Sequence, residues 1–103
     1  MDVIYLYRGL RFVWNADKAQ SNLAKHDTTF EEACQVFFDP LYTVVDATDS
    51  DEERQAAIGL TLNRRILVVV HLLVQGNNIR IISARKATTQ ERRQYEDDSG
   101  THS

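Results

Sequence analysis

Five of the twelve basic residues of this chain, Arg80, Arg85, Lys86, Arg92 and Arg93, fall between Arg80 and Glu96. The net charge is -3, so cations gathered on one segment leave the remainder acidic and give the molecule two electrically different sides. Such a segment suits a phosphate-bearing ligand, RNA first among them. Lys86 precedes a helix whose free backbone N–H groups also favour an anion. His26 is the proton-transfer candidate, because imidazole titrates near neutrality and serves as base or acid in phosphodiester cleavage; Lys25 stands beside it. A histidine ending a helix is equally a C-terminal capping charge. Glu91 reads either as a general base or as the capping partner of Thr88. Trp14, at an element boundary, reads either as a base-stacking surface or as core. His71 sits in an apolar run and reads as a packed core residue, and His102 lies in the tail.

These residues must be positioned by one domain. At 103 residues, 43% hydrophobic, the chain is long enough to bury a single core. A lone cysteine, Cys34, excludes an internal disulfide, and no CxxC pair, glycine-rich phosphate loop or GxSxG elbow is present. Hydrolytic chemistry is therefore expected to need no metal and no cofactor. The longest apolar run, Ile66 to Val74, is too short for a span of about 20 residues. A soluble, cytoplasmic protein is expected.

Hydrophobic periodicity predicts the elements. Val3 to Arg8 alternates as a strand or extended arm, and Phe12 to Trp14 reads as a short strand. Asn15 caps a helix from Ala16 to about His26, with Ala16, Ala19 and Leu23 as its apolar stripe and Lys18, Asn22, Lys25 and His26 away from it. Thr28 with Glu31 and Thr29 with Glu32 open a second helix running to Phe38, which Asp39-Pro40 stops. Asp46 to Glu53 reads as an acidic, solvated loop. Arg54–Leu62, Arg65–Val74 and Asn78–Arg85 predict an antiparallel meander with turns at Asn63-Arg64 and Gln75-Gly76-Asn77. Its middle strand is apolar on both faces and so calls for cover on both. Alternation along the third strand sends Arg80, Ile82, Ala84 and Lys86 to one face and Ile81, Ser83 and Arg85 to the other. A last helix spans about Thr89 to Glu96. The fold class expected is α+β: two N-terminal helices on an antiparallel sheet, with a C-terminal helix.

The ordered pieces Phe12-Val13-Trp14-Asn15-Ala16-Asp17-Lys18, Asn22-Leu23-Ala24-Lys25-His26, Phe30-Glu31-Glu32-Ala33, Phe38-Asp39-Pro40 and the run from Arg80 to Glu96 resemble the BrnT toxin family. The resemblance covers about residues 12–96. It departs at Asp27, where the family commonly has glycine, and in the segment before Phe12, since the family usually starts closer to the tryptophan. It implies a RelE-like fold and a metal-independent endoribonuclease that arrests growth as the toxin of a type II toxin-antitoxin pair. It also implies a BrnA-like ribbon-helix-helix antitoxin, two toxins with an antitoxin dimer, through which alone operator DNA would be contacted.

The leading mechanism gives Lys25 and His26 proton transfer. Arg80, Arg85 and Lys86 bind phosphate or the transition state, with Glu91 and Tyr95 in support. Trp14, Lys18, Arg92 and Arg93 contact RNA. Residues 1–11 form an arm or edge strand, 12–96 the domain and 97–103 a flexible tail. The rival reading is a toxin that has lost activity and survives as an antitoxin-binding corepressor.

Overall fold

A computed structural model describes residues 1–47, 53–74, 76 and 78–99. The chain opens with a hairpin. Strands β1 (Asp2–Tyr7) and β2 (Leu10–Asn15) pair antiparallel. Arg8 (φ 51°) and Gly9 (φ 88°) between them both have positive φ, the pattern of a type I′ turn. The Asn15 side chain then accepts from the Lys18 amide at 3.0 Å and caps α1 (Ala16–His26). Asp27 ends α1 in the left-handed conformation (φ 51°), its N–H bonded to the Leu23 carbonyl at 2.9 Å, so an aspartate fills the terminator role.

Thr29 caps α2 (Phe30–Cys34), which tightens into a 3-10 turn at Gln35–Phe38 instead of continuing as one α-helix. Only half of the expected capping box forms there: Thr29 Oγ1 accepts from the Glu32 amide, while the Glu32 carboxylate turns to Thr61 and Arg65. Then come β3 (Thr43–Asp46), β4 (Gln55–Leu60), β5 (Ile66–Val74), β6 (Asn78–Lys86) and α3 (Thr89–Ser99). Residues 97–99, expected in a flexible tail, belong to α3. Asp49, Asp51 and Glu52 of the acidic stretch, turn residues Gln75 and Asn77, and His102 lie outside the described residues.

The six strands form one sheet in the order β1-β2-β6-β5-β4-β3. The meander β4-β5-β6 is antiparallel as predicted, but the sheet as a whole is not: β2 runs parallel to β6, pairing Arg11–Val13 with Asn78–Arg80. The β4–β5 link is also longer than the two-residue turn expected, because Leu60 pairs with Ile66 and Thr61 accepts from the Arg64 amide.

One face of the sheet carries α1, α2 and the 3-10 turn. Its core joins Phe12, Trp14, Leu67, Val69, Ile79, Ile81 and Ala84 to Phe30, Ala33, Cys34 and Val36. Gly59 permits this layer, since a Cβ there would stand 2.8 Å from Val36 Cγ1 and 3.2 Å from the Val36 carbonyl oxygen. His71 is buried with Nδ1 3.1 Å from the Val69 carbonyl oxygen and its ring edge-on to Phe37. Burial pushes its pKa down. Cys34 is buried too, its thiol donating to the Phe30 carbonyl. On the other face, Tyr95 of α3 joins Ala56, Ile58 and Val68. Strand β5 is thus covered on both sides.

Candidate functional site

Among the described residues, the second half of β6 has no strand partner on the β2 side, because β2 ends at Asn15 and the chain turns into α1. Asn22 replaces that partner. Its Nδ2 donates to the Ala84 carbonyl at 2.9 Å and to the Thr28 carbonyl at 3.0 Å, and its Oδ1 accepts from the Ala84 amide at 3.1 Å. A side-chain amide presents the same donor and acceptor as a backbone peptide, so it can close a strand edge where no strand fits. Asn22 is therefore buried, while Leu23, expected on the apolar stripe, is exposed. The helix has rotated to serve β6 rather than to bury its leucine.

That attachment sets the basic side of α1 along the strand. Lys18, Ser21, Asn22, Lys25 and His26 form a cleft of about 190 Å³ with Ile82 and Ser83. Lys18, Lys25 and His26 are exposed.

A larger cleft, about 400 Å³, opens beyond the end of β6, lined by Leu60, Arg64, Arg65, Ile66, Lys86, Ala87 and Arg92. Arg65 is fixed, donating to Thr28 Oγ1 at 2.7 Å and the Asp27 carbonyl at 3.1 Å and lying 3.3 Å from the Glu32 carboxylate. Thr61 donates to the other Glu32 oxygen at 2.9 Å, so this buried acid is matched by two donors. Arg64 (φ 63°), Lys86 and Arg92 are exposed around it. The structure thus brings Lys86 and Arg92 together but places Lys25 and His26 in the neighbouring cleft. Arg64 and Arg65 were missed by sequence reasoning, which treated them as a turn and a strand start. The hairpin register carried the signal, since Leu67 pairs with Lys86 and so puts the start of β5 beside the end of β6.

Arg80 and Arg85 share a face, contrary to simple alternation. The β5–β6 register shifts between Val70 and His71, Val70 pairing with Ser83 and His71 with Ile81, so Ile82 is an inserted residue. Leu72, Val70 and Val68 then align with Arg80, Ser83 and Arg85 on the α3 side. Both guanidiniums are engaged there: Arg80 donates to Asp2 at 2.8 Å, and Arg85 makes a two-pronged contact with Glu91 at 2.7 and 2.8 Å. That contact holds the Glu91 carboxyl down at about 2, with the Thr88 amide as a further donor. Glu91 and Thr88 complete a reciprocal capping box, so both Glu91 oxygens are engaged in holding Arg85 and the start of α3.

Tyr95 is buried, and its hydroxyl donates to Asp39 Oδ2 at 2.6 Å. Burial and then this carboxylate push the phenol well above its ordinary range. The same Asp39 oxygen accepts from the Leu60 amide at 2.8 Å. Trp14 is 2% exposed, edge-on to Phe30 and tilted against Tyr5, so its indole is core and offers no stacking surface. Arg93 is exposed on α3 and lines neither cleft.

This α+β domain matches, over residues 14–91, the family model described as the ribonuclease toxin BrnT of type II toxin-antitoxin systems. A crystal structure of the Brucella abortus ribonuclease toxin BrnT is similar at 28% identity and a TM-score of 0.59, over 74% of this chain and 94% of that one. The chain belongs to the BrnT family. No curated protein sequence matches it.

Proposed function

We propose that this protein is a toxin that cleaves RNA at the end of β6, with Lys25 and His26 handling protons and Lys86, Arg64 and Arg92 holding phosphates. The observation that carries this reading is the flanking of one strand end by two basic clefts. Backbone phosphates lying across the two clefts would meet exposed cations in each, Lys18 and Lys25 in one and Arg64, Lys86 and Arg92 in the other. In the reaction, a general base takes the proton of a ribose 2′-hydroxyl as its oxygen bonds to the adjacent phosphorus. The bond from phosphorus to the 5′-oxygen breaks, a general acid protonates that oxygen, and a 2′,3′-cyclic phosphate remains. His26 and Lys25 supply the acid–base pair, and the clustered cations stabilise charge building on the phosphorus oxygens. Only side chains are used, so the scheme is metal-independent.

Glu91 and Tyr95 are positioning residues in this reading: one fixes Arg85 and the start of α3, the other fixes α3 to Asp39. We read the fold as RelE-like in plan and the site of action as the cytoplasm, where RNA is. Family membership supports an antitoxin partner, proposed as a BrnA-like ribbon-helix-helix protein that binds two toxins per dimer and carries the operator contacts.

The test is purified protein with RNA in EDTA. Cleavage should persist there and disappear in a Lys25→Ala, His26→Ala double variant. Activity that vanishes in chelator contradicts the metal-free scheme, and an active double variant removes the acid–base pair. Induced expression should arrest growth and be rescued by the antitoxin; no arrest would favour the corepressor reading.

A further inference from the structure

We propose that the exposed edge of β1 pairs with β1 of a second copy of this chain, joining the two sheets into one. The edge belongs to a segment ahead of the family match, which begins at residue 14, so it is independent of the ribonuclease reading.

β1 pairs with β2 on one side and is the last strand of the sheet on the other. The phase of its backbone follows from the turn. Tyr7 and Leu10 flank a two-residue connection and face each other's N–H and C=O groups, and the Met1 carbonyl accepts from the Ala16 amide at 2.9 Å. Odd-numbered residues therefore bond inward to β2, and the N–H and C=O groups of Asp2, Ile4 and Leu6 point out. Native edges are commonly protected by lysine, proline, a bulge or a covering loop. This one has an unbroken register and no lysine or proline from Asp2 to Tyr7, with Ile4 55% and Leu6 74% exposed.

The strand is also complementary to itself. In an antiparallel pairing about a two-fold axis through Tyr5, Ile4 lies opposite Leu6 of the second copy in a bonded pair, and Asp2 lies opposite Arg8. The exposed apolar side chains then bury one another on one face, while Asp2 keeps its contact with Arg80 and the Arg8 guanidinium its place over the Phe38 ring. A six-residue edge alone covers less than the roughly 1,000 Å² that permanent interfaces exceed, so the association is concentration-dependent.

Sedimentation equilibrium of the purified chain tests it. The mass should rise from 11.8 kDa toward twice that value with concentration. Ile4→Pro removes an outward N–H that β2 does not use, and Leu6→Lys places a charge on the edge. Each should weaken association by roughly tenfold or more. Leu73→Lys, on an equally exposed leucine of β5, should leave it unchanged. Circular dichroism melts establish that each variant is folded. Register is read by oxidation: Tyr5→Cys should cross-link, since facing non-bonded residues stand about 4.5 Å apart at Cα. A monomer at every concentration, a dimer indifferent to both edge variants, or cross-linking by Ile4→Cys in place of Tyr5→Cys overturns the proposal.

Discussion

Replacing Asn22 by alanine should be among the most damaging single polar substitutions in this protein. The side chain is 6% exposed and satisfies the Ala84 amide, the Ala84 carbonyl and the Thr28 carbonyl. Each buried group left unpaired costs about 1–3 kcal/mol. Carbonyls tolerate the loss better than an amide, and the space vacated can admit a water, so the sum is discounted to about 3 kcal/mol. Set against a total stability of about 5–15 kcal/mol, that is a large fraction. It corresponds to a fall in Tm of about 12 °C or more in a domain of this size.

Asn22→Asp sharpens the test because its shape is unchanged while Nδ2 becomes an oxygen facing two carbonyls. Repulsion disfavours the ionised form, so the folded-state pKa of the introduced carboxyl is raised. A raised folded pKa means stability that is present in acid and lost as pH rises through that value. In urea titrations the aspartate variant should therefore approach the parent at low pH and fall away toward neutrality, while the alanine deficit changes little. An alanine deficit below about 1 kcal/mol, or an aspartate variant that tracks the parent through neutral pH, would refute the assignment of Asn22 as the stand-in strand partner.

Other outcomes follow from the same geometry. Gly59→Ala should cost about 1–3 kcal/mol in chemical denaturation, because its Cβ would meet the Val36 side chain and backbone. The Arg85–Glu91 contact lowers the Glu91 carboxyl to about 2 from 4.5, so its stability is present above 4.5 and is lost as pH falls toward 2. Arg85 is 41% exposed, so solvent screening reduces the contribution to about 1 kcal/mol, and Glu91→Gln should remove that part of the acid dependence. Lys86→Gln and Arg92→Gln should each weaken RNA binding and lower the slope of log affinity against log salt by about 0.7, with Tm nearly unchanged.

Much of the element order was legible because local chemistry marked it. Asn15 and Asp27 bracket α1 at the residues expected, and Thr88 with Glu91 announces α3. What escaped reading was non-local. Nothing near Phe12 indicates that β2 will lie parallel to residues almost seventy positions later. The inserted Ile82 is as apolar as its neighbour Ile81, so hydrophobic alternation gave no warning that Arg80 and Arg85 would share a face. Asn22 looked like a surface residue because its partners are backbone groups of β6 and of the α1–α2 corner. Trp14 marked a boundary in sequence but not at the surface: Val3, Tyr5 and Tyr7 pack against the core that contains it, beneath a strand whose register could not be read. Lys86 and Arg92, singled out within the Arg80–Glu96 run, line the larger cleft, and Arg64 and Arg65 joined them only when two strand ends came side by side.

Asp39 lies in the loop after the 3-10 turn, and its carboxylate accepts from Leu41, from Leu60 of β4 and from Tyr95 of α3. One acid therefore joins the two layers that the sheet otherwise separates. Opening of the last helix breaks a bond to the same carboxylate that anchors the end of β4, beside the loop that carries Arg64 and Arg65. Any opening of the C-terminal segment therefore bears on a carboxylate one of whose other partners, Leu60, lines the larger basic cleft. A ligand that bound the larger cleft more tightly with α3 closed would, by linkage, favour the closed helix.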